Sequence, residues 1–192
     1  MTRSNAPQHT ISRGLSLYYV GRFKDGAEQF RRDVAVNPSD TEEALWAFLC
    51  EAQIPEIGFK KARAQMLVVG RDPRPYCQKA YDLFKGTATE EDLAHEATPS
   101  TPAEFYANMY LGLFAEARGE ADKARACTSC RPWRCLRARR PSAPAGSHNQ
   151  PHDTYVHTLT DMTAACNTKY SKLGRDYMVS LAKVHLKLRG WA

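Results

Sequence analysis

A helical period of apolar residues runs through most of the 192-residue chain and constrains its fold class. In the segment GRFKDGAEQFRRDVAVNP, the apolar residues Phe23, Ala27, Phe30 and Val34 follow one another at intervals of 4, 3 and 4. This spacing places them on one face of a helix, which Pro38 ends. No segment alternates apolar and polar residues over the length of a strand. The sequence therefore predicts an all-α fold built of antiparallel helical hairpins.

Capping patterns predict where several of the helices begin. A capping box pairs a Ser or Thr at the N-cap with an acidic or amide residue three positions later. The predicted boxes are Ser39 with Glu42, Thr89 with Asp92, and Thr101 with Glu104. Pro102 supports the third, because proline suits the first turn of a helix.

The last predicted helix runs through the segment DYMVSLAKVHLKLRGW. Its apolar residues Tyr177, Leu181, Val184 and Leu188 are spaced 4, 3 and 4, which is the spacing of one helix face. His185 lies beside that stripe. A histidine in such a place is more often a packed, hydrogen-bonded residue than a metal ligand or a base, and we interpret it so.

The spacing of three small residues occurs twice in the chain. The two sets are Gly14, Gly21 and Gly26, and Gly112, Gly119 and Ala124, which lie 98 residues later at the same intervals of 7 and 5. In each set the first residue lies within a helix, the second at a turn and the third near the start of the next helix. Small residues there let two antiparallel helices approach closely, so we predict a repeated helical hairpin.

Residues 127–160 differ from the rest of the chain in composition. They carry a net charge of +4, out of +6 for the whole chain, and three of the six cysteines, namely Cys127, Cys130 and Cys135. The remainder is nearly neutral, so its charge does not indicate a nucleic-acid-binding surface. The cysteines outside the segment lie in helical patterns, where a thiol usually acts as a small buried apolar group.

The helical pattern on either side of this segment becomes continuous when the segment is left out. A bulky apolar residue is expected four positions after Ala124, and a small one three positions further on. The chain as written offers Thr128 and Arg131 there. Without the segment, Met162 and Ala165 take these positions, and both fit.

The domain organisation follows from this pattern. We predict a disordered amino terminus over residues 1–12 and one helical domain formed by residues 13–126 and 161–192. Residues 127–160 are predicted to be a disordered insert, which a retained intron would explain.

Two functional hypotheses attach to the insert. Cys127-x-x-Cys130 and His148-x-x-x-His152 are plausible pairs of zinc ligands, although 17 residues separate the pairs. Trp133 lies among arginines that could grip phosphates while the indole stacks on a base. Both hypotheses rank below a functionless insertion, because a helix interior rarely hosts a structureless segment of this length.

The repeated pattern resembles the tetratricopeptide (TPR) repeat, whose signature includes L-G-x-x-Y, then A-x-x-x-F, then a proline. Gly14-x-x-Leu17 stands for the first part, Gly26-x-x-x-Phe30 for the second, and Pro38 follows. In the second copy, Leu111-Gly112-x-x-Ala115 stands for the first part. This resemblance implies a short α-solenoid.

Longer stretches resemble a family of TPR-like proteins of plant and algal chloroplasts. They include RGLSLYYVGRFKDGAEQFRRDVAVNPSDTEEALWAFLCEAQ, VGRDPRPYCQKAYDLFKG, FYANMYLGLFAEARGE and DYMVSLAKVHLKLRGW. The resemblance implies a plastid location, in association with thylakoids, for the full-length family member. This chain shows no transit peptide, and without one we expect a cytoplasmic protein. The resemblance implies no catalytic residue.

The predicted function is a non-enzymatic protein–protein interaction scaffold without a cofactor. We expect protein partners, no membrane span and no nucleic acid. The alternative is a nucleic-acid- or zinc-binding protein that acts through the Cys/His-containing insert. A helical enzyme is a third possibility, but no paired carboxylates and no Ser-His or Cys-His arrangement favour it.

Overall fold

The computed structural model describes residues 8–120, 162–174 and 176–191, and all regular structure in these ranges is helical. The helices in these ranges are α1 (Gln8–Tyr19), α2 (Phe23–Val36), α3 (Thr41–Ala52), α4 (Gly58–Ala64), α5 (Pro75–Lys85), α6 (Glu90–His95), α7 (Pro102–Ala117), α8 (Met162–Asn167), α9 (Lys169–Leu173) and α10 (Tyr177–Leu188). The prediction of an all-α fold is confirmed for this part of the chain. The predicted insert, residues 127–160, lies outside it.

Helices α1 and α2 form a hairpin that depends on two glycines. Gly21 lies at the turn with a φ of 77°, in the left-handed region that favours glycine. A Cβ built on Gly14 would lie 2.5 Å from Cζ of Phe30. The Phe30 ring is fully buried, so the two helices approach closely only because position 14 lacks a side chain.

Helices α7 and α8 pack against each other at an equivalent place. Gly119, after the end of α7, also has a φ of 77°. A Cβ built on Gly112 would lie 2.8 Å from the backbone nitrogen of Met162. Met162 and Ala165 are both buried, with exposures of 1% and 0%. Met162 thus contacts the first small residue of its set, as Phe30 contacts Gly14.

Helix α3 lies at the centre of the molecule, and every residue from Thr41 to Glu51 is buried. It packs against α1, α2, α4, α5 and α7. Its apolar residues surround the helix instead of forming one stripe, as expected of a helix that is covered on all sides. The Trp46 ring contacts Tyr18 and Phe30, while Phe48 contacts Phe84 on α5.

The predicted capping box at the start of α3 is wrong. The N-cap is Asp40, whose carboxylate accepts a hydrogen bond of 3.0 Å from the backbone nitrogen of Glu42. Asp40 is the extended residue immediately before the first helical residue, so its side chain caps the helix. Ser39 lies one position too early.

The other two boxes have different outcomes. Thr89 and Asp92 form the predicted box, each accepting a hydrogen bond from the other's backbone nitrogen. Thr101 is the N-cap of α7, but its side chain makes no capping hydrogen bond. Glu104 accepts instead from the backbone nitrogen of Ser100, at 2.8 Å. Residues 8–12, at the end of the predicted amino-terminal segment 1–12, belong to α1.

A regular apolar stripe ordinarily faces the core of a protein, but the stripe of helix α10 does not. The buried residues of α10 are Met178, Val179, Ala182, His185 and Leu186. In the stripe, Tyr177, Val184 and Leu188 face solvent on the other side of the helix, and Leu181 is half-buried against the core. The core-facing side is itself apolar apart from His185, so α10 carries two apolar faces.

Candidate functional site

The solvent-facing side of α10 is the candidate functional site, and we call its four residues, Tyr177, Leu181, Val184 and Leu188, the α10 stripe. Tyr177, Val184 and Leu188 have exposures of 52%, 47% and 56%. Leu181 is half-buried and packs against the core. Single exposed apolar residues are common on protein surfaces. Four apolar residues at helical spacing on one helix, however, together form a surface that another molecule could cover.

Asp176 fixes the beginning of α10. As the N-cap, it accepts a 2.9 Å hydrogen bond from the backbone nitrogen of Met178. Its other oxygen accepts hydrogen bonds from the hydroxyls of Tyr106, at 2.7 Å, and Tyr170, at 2.8 Å. Burial, and then the hydrogen bond to Asp176, raise the pKa of Tyr170 to about 12, so the hydroxyl stays a donor at neutral pH. One carboxylate thus joins α7, α9 and α10.

A second polar cluster fixes the end of α10. The fully buried His185 places Nδ1 3.1 Å from the hydroxyl of Tyr19 and Nε2 3.0 Å from Oε2 of Glu116. Arg189 donates from Nε to the other oxygen of Glu116. The Trp191 ring packs against the imidazole at 5.7 Å. His185 is therefore a packing residue in contact with α1 and α7, as predicted.

The charges of this cluster stabilise one another. Burial alone would raise the pKa of Glu116, but hydrogen bonds and charge from His185 and Arg189 outweigh it and hold the pKa below its usual value. The carboxylate therefore stays ionised between the two basic groups. Because α10 is fixed at both ends, the direction in which its stripe faces is set by the fold.

Exposed lysines lie beside the α10 stripe, whereas its Tyr177 end also faces negative charge: burial, followed by the charges of Glu42, Asp176 and Asp40, raises the pKa of Tyr177. Lys183 and Lys187 are exposed on α10, and Lys169 and Lys172 are exposed on the neighbouring α9. Asp176 is the one acidic residue in the described ranges 162–174 and 176–191, and two tyrosines already bind it. An approaching group therefore meets apolar side chains with positive charge beside them.

A buried ionic cluster joins α3, α5 and α7. Arg74 donates to Glu42 at 2.6 Å and to Asp72 at 2.8 Å, and the hydroxyl of Tyr110 donates to Glu42 at 2.7 Å. Thr41 also donates to Asp72, at 2.7 Å. The turn RDPRP thus directs Arg74 toward these carboxylates, and we call this group the Arg74 clamp. The guanidinium nitrogens of Arg74 donate hydrogen bonds to these carboxylates.

One buried carboxyl group differs from those of the clamp. Glu43 has an exposure of 4%, and its Oε2 accepts no hydrogen bond from any described residue. Burial, followed by the negative charges of Asp40, Asp33 and Glu42, raises the pKa of Glu43 to about 8. This side chain is therefore mostly protonated at neutral pH, in the middle of an acidic group.

A cleft of about 910 Å³ opens beside the clamp, between the RDPRP turn and α5. Arg71, Lys79, Lys85, Asp82 and Glu96 are among its lining residues. Charges of both signs surround it, and they indicate no particular ligand. The α10 stripe is the more informative surface.

The remaining residues of the predicted repeat contribute to packing and to backbone hydrogen bonds. Leu17 is half-buried on α1, and Gly26 is buried where a Cβ would lie 2.8 Å from Sγ of Cys50. The carbonyl of Pro38 accepts a 2.7 Å hydrogen bond from the backbone nitrogen of Gly70. Cys50 and Cys77 are buried free thiols, and burial raises the pKa of Cys50 to about 12.

The hypothetical zinc ligands Cys127, Cys130, His148 and His152 lie outside the described residues, and so does Ala124. Within the described ranges, no group of three or more His, Cys, Asp or Glu residues is arranged to hold a metal ion. In the same ranges, no helix combines the length and apolar character needed to cross a membrane.

No protein-family model matches the chain, and no solved structure matches it. The structure brings together residues that the sequence had left separate, above all Asp176 with Tyr106 and Glu116 with His185. Sequence spacing alone gives no signal for either pair, because 70 and 69 positions separate their members. The double apolar character of α10, in contrast, was visible in the sequence.

Proposed function

We propose that this chain is a TPR-like scaffold that binds a partner protein and carries out no reaction of its own. The observation that carries the proposal is the α10 stripe, a row of apolar side chains held toward solvent by polar contacts at both ends of the helix. Exposed apolar residues grouped on one helix face mark a surface that commonly binds another molecule.

The buried polar groups support binding rather than catalysis. The clamp around Arg74 and the cluster around Glu116 pair their charged groups with one another, so these groups are already engaged within the fold. The close glycine contacts of the α1–α2 and α7–α8 pairs support the TPR-like description. The plastid location stays part of this proposal and depends on the sequence resemblance; imaging the full-length protein as a fluorescent fusion tests it.

Site-specific photo-crosslinking tests the scaffold proposal. The photoreactive residue p-benzoylphenylalanine is placed at position 181, in the stripe, or at position 68 as the matched control. Val68 is 79% exposed and belongs to the segment between α4 and α5. In cells that naturally express the protein, we expect protein adducts at position 181 and not at position 68. No adduct at 181, or the same adducts at both positions, would reject the proposal.

A further inference from the structure

The spacing of the α10 stripe is that of a coiled-coil seam. Intervals of 4, 3 and 4 place Tyr177 and Val184 at d positions and Leu181 and Leu188 at a positions of a heptad. At 100° per residue the four side chains span an arc of about 60°, which is the width of an a/d seam and narrower than the face of a core helix. The helix is 12 residues long, or about 18 Å.

The charge beside the seam lies on one flank. Lys187 occupies a g position and Lys183 the neighbouring c position, and both are exposed. The e positions, Met178 and His185, are buried in the chain's own core. A partner helix that packs on the seam therefore has Lys183 and Lys187 of α10 along one side and the body of the protein along the other. Acidic residues on the open side would complement them.

A second copy of the chain fits this surface poorly. In an antiparallel pair related by two-fold symmetry, g positions face g positions, so Lys187 of each copy would meet its equivalent in the other. In a parallel pair, g positions face e positions, but Met178 and His185 are buried and unavailable. Neither arrangement gives the lysines a partner of opposite charge.

A lipid surface also fits less well than a helix. An interfacial helix inserts a broad apolar face about 5–10 Å into the bilayer. Tyr177, Val184 and Leu188 are each about half covered by the rest of the chain. They form a narrow row, which suits contact with another helix.

We infer that the α10 stripe binds an amphipathic helix of a partner protein that has apolar residues at heptad a and d positions and acidic residues beside them. This inference rests on the proposed scaffold function and specifies the partner's chemistry. The helix would lie along α10, with its apolar row on the stripe and its carboxylates near Lys183 and Lys187.

Two designed peptides test the inference with the full-length chain. Both have 21 residues in three heptads with Leu at a and d, and they carry either Glu or Lys at e and g. Fluorescence anisotropy of the labelled peptides measures binding. We expect the Glu peptide to bind at least tenfold more tightly than the Lys peptide, because only its charge complements the surface.

Variants locate the binding surface. Val184→Asp with Leu188→Asp should weaken Glu-peptide binding at least tenfold, because burying a charge at a seam position is unfavourable. Lys183→Glu with Lys187→Glu should reverse the peptide preference. Val68→Asp is the matched control and should leave binding unchanged. All of these positions are exposed, and far-UV circular dichroism checks that helicity is retained.

Equal binding of the two peptides, no binding of either, or binding that the Val184→Asp, Leu188→Asp variant leaves intact would overturn the inference. So would stripe-dependent binding to phosphatidylglycerol vesicles without peptide binding, which would assign the stripe to a lipid surface. A dimer in analytical ultracentrifugation that this variant abolishes would assign it to a second copy. If protein adducts form at position 181 but the Glu peptide does not bind, only the partner's chemistry is wrong. If both are absent, the scaffold proposal fails as well.

Discussion

Substitution of Gly14 by alanine tests whether the α1–α2 hairpin depends on close approach at this glycine. The added Cβ would lie 2.5, 2.7 and 2.9 Å from Cζ, Cε1 and Cε2 of Phe30. All three atoms belong to one ring, and that ring has no exposed surface. The ring therefore has to move within a packed core.

The expected magnitude follows from two opposing terms. Replacing a helical glycine by alanine stabilises a helix by about 1 kcal/mol. Overpacking a core side chain costs roughly 1–3 kcal/mol, and the short contacts place this site at the upper end. We therefore expect Gly14→Ala to lower the free energy of unfolding by about 2 kcal/mol.

A double-mutant cycle identifies the ring as the cause. Phe30→Leu removes the three ring atoms and with them the overpacking cost, so in that background Gly14→Ala should stabilise the protein by about 1 kcal/mol. The coupling energy should be about 3 kcal/mol, at the upper end of the range for residues in contact. Urea unfolding followed by circular dichroism gives the four free energies.

The equivalent pair on α7 and α8 supplies a matched contrast. A Cβ on Gly112 would meet the backbone nitrogen of Met162 at 2.8 Å, and shortening the Met162 side chain does not move that atom. Gly112→Ala should therefore stay destabilising in the Met162→Ala background. Additive costs of Gly14→Ala and Phe30→Leu, or equal coupling for the two pairs, would refute the reasoning.

Two further predictions concern the buried charges. Arg74→Met leaves the carboxylates of Asp72 and Glu42 without their cation and should cost about 2–3 kcal/mol of stability at pH 7, below the range for fully buried pairs because the Arg74 side chain is 37% exposed. Arg71→Met should change the stability by less than about 0.5 kcal/mol; urea unfolding compares them. Folding raises the pKa of Glu43, so the protonated side chain stabilises the folded state relative to the unfolded state. The free energy of unfolding should therefore fall by roughly 1–3 kcal/mol as the pH rises from about 5 to beyond 8. Glu43→Gln should remove this decline in pH-dependent unfolding, while Glu91→Gln, at an exposed position, should preserve it; an unchanged decline in Glu43→Gln would assign it to another group.

Local patterns predicted much of the helical structure correctly. The stripe of α2, the turn glycines and the box at Thr89 depend on neighbours within one or two helical turns, and such neighbours can be identified in a sequence. The cap of α3 was wrong by one residue, because Ser39 and Asp40 are both good N-caps and the choice depends on which of them adopts the extended conformation. Helix ends are therefore less certain than helix faces.

The orientation of α10 could not be predicted from its pattern alone. Both faces of this helix are apolar, and the one that is buried is decided by contacts with α1, α7 and α8. Those contacts include the bonds of Asp176 to Tyr106 and of His185 to Glu116, which join distant parts of the chain. The regular 4, 3, 4 spacing suggested a core face, and tertiary contacts selected the other one.

The proposed binding surface requires that the α10 stripe face solvent, and thiol labelling measures which face of α10 does so. Single substitutions Val184→Cys and Val179→Cys place a thiol on the stripe or on the opposite face, where exposures are 47% and 1%. Mass spectrometry of the peptide containing residues 177–188 separates these thiols from the native cysteines. We predict that Val184→Cys is labelled in the native protein at nearly the rate found in urea, and Val179→Cys at least a hundredfold more slowly. Fast labelling of Val179→Cys with protection of Val184→Cys would contradict the orientation and, with it, the proposed binding surface.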